Sequence, residues 1–185
     1  SVIASMPCFL DNQYLNSIYS NNTLQTLPSL LKDKGYTSTF FHGGTNGTIN
    51  LNSFAKLAGF DKYYGRTEYN DESEYDGQWG IWDEPFLKKT VKEISKMKKP
   101  FFASIFTLSS HNPYKVPQKY KGKFPKGNYQ IIESVGYTDY ALKQFFTEAS
   151  KQPWFENTLF VITADHTSTS DDNFYSNAVG QYSIP

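Results

Sequence analysis

Sulfur chemistry has almost no material here: Cys8 is the single cysteine among 185 residues. No disulfide can form within the chain. No base stands near that thiol in sequence, and it reads as a small buried apolar side chain. Long hydrophobic runs are also missing. The longest, FFASIF at 101–106, is strand-length and far short of the ~20 apolar residues of a membrane span. Charge of one sign is lacking as well. Lys+Arg and Asp+Glu are 18 each, so no global basic field recruits nucleic acid or an anionic membrane. No internal repeat or low-complexity stretch stands out. The chain opens on Ser1, without the initiating Met or the basic region of a leader. Its first residues, SVIASMP, read instead as the middle of a helix, and the final GQYSIP as the start of a strand.

What is present suits a soluble globular protein. Hydrophobic residues make up 38% and charged residues 19%, enough apolar surface for a core over the length of one domain or most of one. Aromatic residues reach 17%. They fit an aromatic core with tyrosines at its edges, and equally a surface that uses rings as platforms for glycans or lipid headgroups.

The spacing predicts alternating helices and strands. Over 23–44, Leu27, Leu30 and Leu31 share a helical face, Pro28 suits a first turn, and Gly35 suits a helix end. The β-branched and aromatic run YTSTFFH follows as a strand. Phe54, Leu57 and Ala58 mark a short helix stopped by Gly59, and an exposed acidic loop comes next. A helix then starts at N-cap Asp83 and buries Phe86, Val91, Ile94 and Met97. FFASIF is a second strand. Ile132, Val135, Tyr140, Leu142, Phe145 and Phe146 lie on a further helix, which feeds a third strand at 159–162. Unalternated apolar strands indicate burial on both faces, hence a mostly parallel sheet with helices on either side.

Three histidines, His42, His111 and His166, each lie at or just past a predicted strand end, the edge where open α/β sheets bind ligands. In TADHTS, Asp165 and His166 place a carboxylate beside an imidazole, good ligands for Mn²⁺ or Zn²⁺. A helix-capping Asp with a solvent-facing His fits the same local pattern. His111, in LSSHNPY, could bind an anionic oxygen, act as general acid or base, or bond backbone. His42, in FHGGTNGT, precedes glycines that suit either close approach to a ligand or a positive-φ turn.

Taken together, FFHGGTNGTINLNSFAKLAGFDKYY, GIWDEPF, PFFASIFTLSSHNPY, YTDYALKQFF and LFVITADHTS resemble the lipoteichoic-acid-synthase-like branch of the sulfatase and alkaline phosphatase superfamily. The resemblance runs over essentially the whole chain. It implies an alkaline-phosphatase-like three-layer αβα domain, incomplete at both ends, in which residues 1–185 are part of a catalytic domain. It implies a divalent metal, Mn²⁺ first, with Zn²⁺, Mg²⁺ or Ca²⁺ as alternatives, held in part by Asp165 and His166. His111 matches the family's phosphoryl-contacting histidine, and His42 and Asn46 fall at the substrate side. A Thr or Ser nucleophile that forms a covalent intermediate is expected upstream of Ser1, so these residues alone are expected to be inactive.

The implied substrate is a phosphorylated or sulfated lipid or glycan, with no nucleic acid partner. The implied parent is membrane-anchored through a segment outside this chain, with this domain extracytoplasmic. The loop GTNGTINLN lacks the Trp and Arg that glycerophosphate synthases carry after this histidine, which argues against polyglycerolphosphate synthesis. Thr167 replaces the glycine that sulfatases carry after Asp-His. A degenerate member that binds anionic glycans without turnover is the alternative.

Overall fold

The computed structural model describes residues 2–5, 14, 17–20, 22–168, 170–177, 179–180 and 183. Cys8 lies outside them, as does most of the expected terminal strand. At the centre is a parallel sheet of β1 (Thr37–His42), β2 (Lys62–Tyr64) and β3 (Phe101–Phe106), in the order β2-β1-β3. β1 pairs along its whole length with β3, from Thr37 opposite Phe101 to His42 opposite Phe106. Around the sheet lie α1 (Leu27–Lys32), α2 (Leu51–Leu57), α3 (Arg66–Tyr69), α4 (Asp83–Ile94) and α5 (Ile131–Ala149).

Successive strand side chains point to opposite faces, so Phe40 and Phe41 divide the core between them. Phe40 packs with Ala55, Ala58 and Phe60 on the α2 side. Phe41 packs with Phe86, Leu87 and Val91 of α4 and with Ala141 and Phe145 of α5. Phe41 and Phe86 are each 1% exposed, and burying each contributes about 2–3 kcal/mol. Apolar clusters on both faces make the three-layer αβα arrangement that the strand pattern predicts.

Several local expectations change. Val2, Ile3 and Ala4 form a turn rather than a helix, and Ser5 has φ 50°. α1 starts on a capping box between Thr26 and Ser29. Its buried residues are Thr26 and Pro28, while Leu27 and Leu30 face outward. The inward stripe of α5 is Ser134, Tyr137, Ala141, Phe145 and Ala149, displaced from the largest apolar residues. Ile132 and Val135 are exposed. The small residues at 134, 141 and 149 let α5 lie close to α4, which outweighs side-chain size in choosing the face.

The strand expected at 159–162 is irregular and pairs with no strand among the described residues, where the neighbour of β3 is β1. Phe160 alone turns inward, against Phe145, Phe146 and Phe155. Leu159, Val161 and Ile162 are exposed. A single ring held by helix aromatics takes the place of a ladder.

Gly43 and Gly44 explain the entry to the site loop. Gly44 bridges Gly80 in antiparallel fashion, and Gly43 accepts the Ile81 N–H at 3.0 Å. The close approach is backbone to backbone. A Cβ on Gly44 would stand 2.4 Å from Cε1 of His42, whose ring is buried and cannot swing away. Gly44→Ala is therefore expected to destabilise the fold by about 1–3 kcal/mol through overpacking, read as a lower urea midpoint with an unchanged slope.

Candidate functional site

His42 is the last residue of β1, and the sheet encloses it. It is 1% exposed, its Nδ1 is 2.9 Å from the Tyr63 hydroxyl, and its ring lies 5.6 Å from that of Phe106. Burial lowers its pKa to about 4, so the imidazole is neutral at pH 7. The expectation that His42 meets substrate is not matched by this placement: its polar partner is a side chain of the neighbouring strand. Asn46 is likewise engaged. Its amide donates to the Glu68 carboxylate at 3.0 Å, and its oxygen accepts the Thr67 N–H at 3.2 Å. It fastens the glycine loop to α3.

His111 is presented to solvent, five residues past the end of β3. Its Nδ1 is 3.1 Å from the Asn112 carbonyl oxygen. A carbonyl only accepts, so the proton is on Nδ1 and Nε2 is left for a ligand. The ring lies 4.1 Å from the Trp79 ring, and the Trp79 indole N–H donates to the same Asn112 carbonyl at 2.6 Å. His111, Trp79, Trp82, Ser109 and Lys115 border a recess of about 10 Å³, room for about one water. The aromatic wall and the lysine beside His111 were not singled out from the sequence.

Asp165 and His166 do come together. His166 Nε2 is 3.6 Å from Asp165 Oδ2, and both side chains are 58% exposed. Asp165 Oδ1 accepts the His166 backbone N–H at 3.1 Å, and His166 Nδ1–H donates to the Thr167 carbonyl at 2.7 Å. The ring is thereby oriented with Nε2 toward the carboxylate. One carboxylate oxygen and one imidazole nitrogen fit two positions around a divalent cation. Among the described residues, no three His, Cys, Asp or Glu side chains gather closely enough to hold a metal.

The two segments meet at a larger recess of about 240 Å³, lined by Tyr114 after His111 and Ser168 after His166, with Asn128, Tyr129 and Gln130. The Asp171 carboxylate near the Tyr129 hydroxyl raises the pKa of that phenol. The sequence placed both segments at sheet ends; in the structure the recess is lined by Tyr114 and Ser168, while His111 borders the smaller recess beside Trp79.

The family model described as Sulfatase matches residues 3–185. The chain belongs to the sulfatase family. Among curated relatives, lipoteichoic acid synthase 2 of Bacillus subtilis (strain 168) is 31% identical over 160 residues, covering 83% of this chain and 24% of its own. A solved protein of the alkaline phosphatase superfamily from Vibrio parahaemolyticus matches with a TM-score of 0.82 at 31% identity, over 100% of this chain and 45% of that one. The lipoteichoic acid synthase LtaP from Listeria monocytogenes matches at 0.65 and 23% identity, over 75% of this chain and 36% of that one, a likeness of fold. This sulfatase-family chain thus spans about a quarter of the length of the curated relatives it matches. Its α/β architecture with a parallel sheet is that of the superfamily.

Proposed function

We propose that this chain is part of a metal-dependent enzyme of phospho- or sulfo-transfer. It would be a phosphoglycerol-type transferase or an ester hydrolase acting on a phosphorylated or sulfated lipid or glycan. The observation that supports this reading is that Tyr114, three residues after His111, and Ser168, two after His166, line one recess, while the His111 ring is held against Trp79. As an imidazolium His111 donates from both nitrogens, and Nε2 can then hold an anionic oxygen of the transferring group beside Lys115. Asp165 and His166 would hold a divalent cation, Mn²⁺ first. Such an ion, when bound, polarises a phosphoryl or sulfuryl oxygen and offsets its charge.

The transfer passes through a covalent Thr or Ser intermediate, and no Ser or Thr of this chain is assigned that role. The 185 residues alone are accordingly expected to turn over nothing. The relation to lipoteichoic acid synthases supports a membrane-anchored parent with this domain outside the cytoplasm. No helix among the described residues is long and apolar enough to cross a membrane.

In the complete protein, His111→Ala is expected to slow release from a p-nitrophenyl phosphodiester about 100-fold, as for other lost acid–base or anion-stabilising groups. An undiminished rate refutes the role of His111. A wild-type protein that binds anionic glycan yet shows no turnover of phosphate or sulfate esters is a binding module instead.

A further inference from the structure

The loop that carries His111 leaves the sheet at Phe106 and has no ladder to hold it. Its anchors lie on the segment that opens α4. Asp83 Oδ1 accepts the N–H groups of Leu108 at 2.9 Å and Ser109 at 3.1 Å, and the Asp83 N–H donates to the Ser109 hydroxyl at 3.0 Å. The second carboxylate oxygen accepts the Thr138 hydroxyl of α5 at 3.1 Å. Asp83 is 1% exposed. It sits in the first turn of α4 and, in place of an N-cap role, spends its oxygens on a different element. Burial pushes its carboxyl up, while the bonds from Leu108, Ser109 and Thr138 pull it back down.

We propose that Asp83 is the positioning residue of the His111 loop, tying the segment after β3 to the start of α4 and the middle of α5 and so fixing where the His111 imidazole stands against Trp79. The catalytic importance of that position rests on the function proposed above; the positioning itself does not. A carboxylate suits the task because it only accepts, and the loop offers it two backbone donors side by side. Asn keeps the volume and can turn its amide N–H to the Thr138 hydroxyl, which accepts as well as donates, but its neutral oxygen holds the Leu108 and Ser109 N–H groups more weakly than a carboxylate does, which loosens the loop. A first-turn residue that merely stabilised α4 would have no reason to reach Leu108. His111 and Trp79 report the outcome, because an indole centred 4.1 Å away and tilted by 49° gives the imidazole proton signals an aromatic ring-current shift.

The test is the His111 side-chain proton spectrum of the protein with Asp83→Asn, alongside Thr138→Val, which removes one remote donor without touching the loop. In Asp83→Asn the His111 signals are expected to lose their ring-current displacement while those of the Phe41–Val91 core stay fixed. Thr138→Val should move them in the same direction by a smaller amount. In the complete protein, Asp83→Asn should lower kcat for the phosphodiester at least tenfold with KM within about twofold, since small misplacements of a reacting group are costly. His111 signals unmoved in both variants overturn the proposal, and if Asp83→Asn does not fold, unmoved signals in Thr138→Val do so alone. Moved signals with full activity in His111→Ala uphold the positioning and sink only the catalytic role of His111.

Discussion

Replacing His166 with alanine is expected to lower the affinity of the complete protein for Mn²⁺ by at least tenfold. The imidazole is already oriented for the task. Its Nδ1–H is committed to the Thr167 carbonyl at 2.7 Å, and Nε2 faces Asp165 Oδ2 at 3.6 Å. Metal-ligating histidines are held in this way, with the far N–H on a carbonyl or carboxylate. Loss of such an outer partner alone costs about 10–100-fold in affinity, so loss of the ligand itself should cost no less. Asp165→Ala should have a similar effect, because it removes the charged member of the pair. His111→Ala, on the other rim segment, should leave affinity within about twofold. Calorimetric titration with Mn²⁺ separates these outcomes, and an unchanged affinity in His166→Ala would remove the pair from the site.

The same pair shows what local sequence can and cannot reveal. That Asp165 and His166 converge follows from adjacency once the backbone leaves extended geometry, so it was legible. That the residues before them form no ladder was not. LFVI has the composition of a buried strand, yet only Phe160 finds a pocket, formed by rings on α5 and at residue 155. Pairing is a non-local property, and apolar content does not specify a neighbour. Strands β1 and β3 and helix α4 were legible because pattern, β-branched or aromatic content and helix-end signals agree there. β2 was not, since three residues, KYY, carry no period. On α5 the face was misjudged by weighting size. Ser134, Ala141 and Ala149 are inward because the α4–α5 approach needs small side chains. Asp83 shows a subtler limit. Its position at the start of a helix was plain, but the partners of its oxygens lie 25 and more residues away, and cap chemistry alone gave no sign of them.

His42 should make stability fall in acid, by an amount large enough to isolate. Its pKa is lowered from 6.5 to about 4 by burial, so between those values the unfolded chain binds a proton that the folded chain refuses. Stability from this group is complete above pH 6.5 and drains away as pH falls toward 4, a change of up to about 3 kcal/mol. The opposite sign would apply to a histidine that gained an acidic partner, and the partner here is the neutral Tyr63 hydroxyl, itself pushed up to about 12 chiefly by burial. Acid also protonates carboxylates such as Asp61 and Glu68, whose pKa values are lowered in the folded state despite desolvation, by bonds from Ser38 and Lys32 and from Asn46 and Gly65. The wild-type curve alone therefore mixes several groups. The double variant His42→Phe/Tyr63→Phe removes both partners of the bond together, which leaves no buried polar atom unpaired, and keeps rings against Phe106 and Phe40. Urea unfolding at pH 7.5 and pH 4.5 should show the wild type losing about 2.5 kcal/mol more than the double variant across that interval. Equal losses would mean that the imidazole reaches water, and with it a ligand, more readily than its enclosure by Tyr63, Phe106 and Gly44 allows.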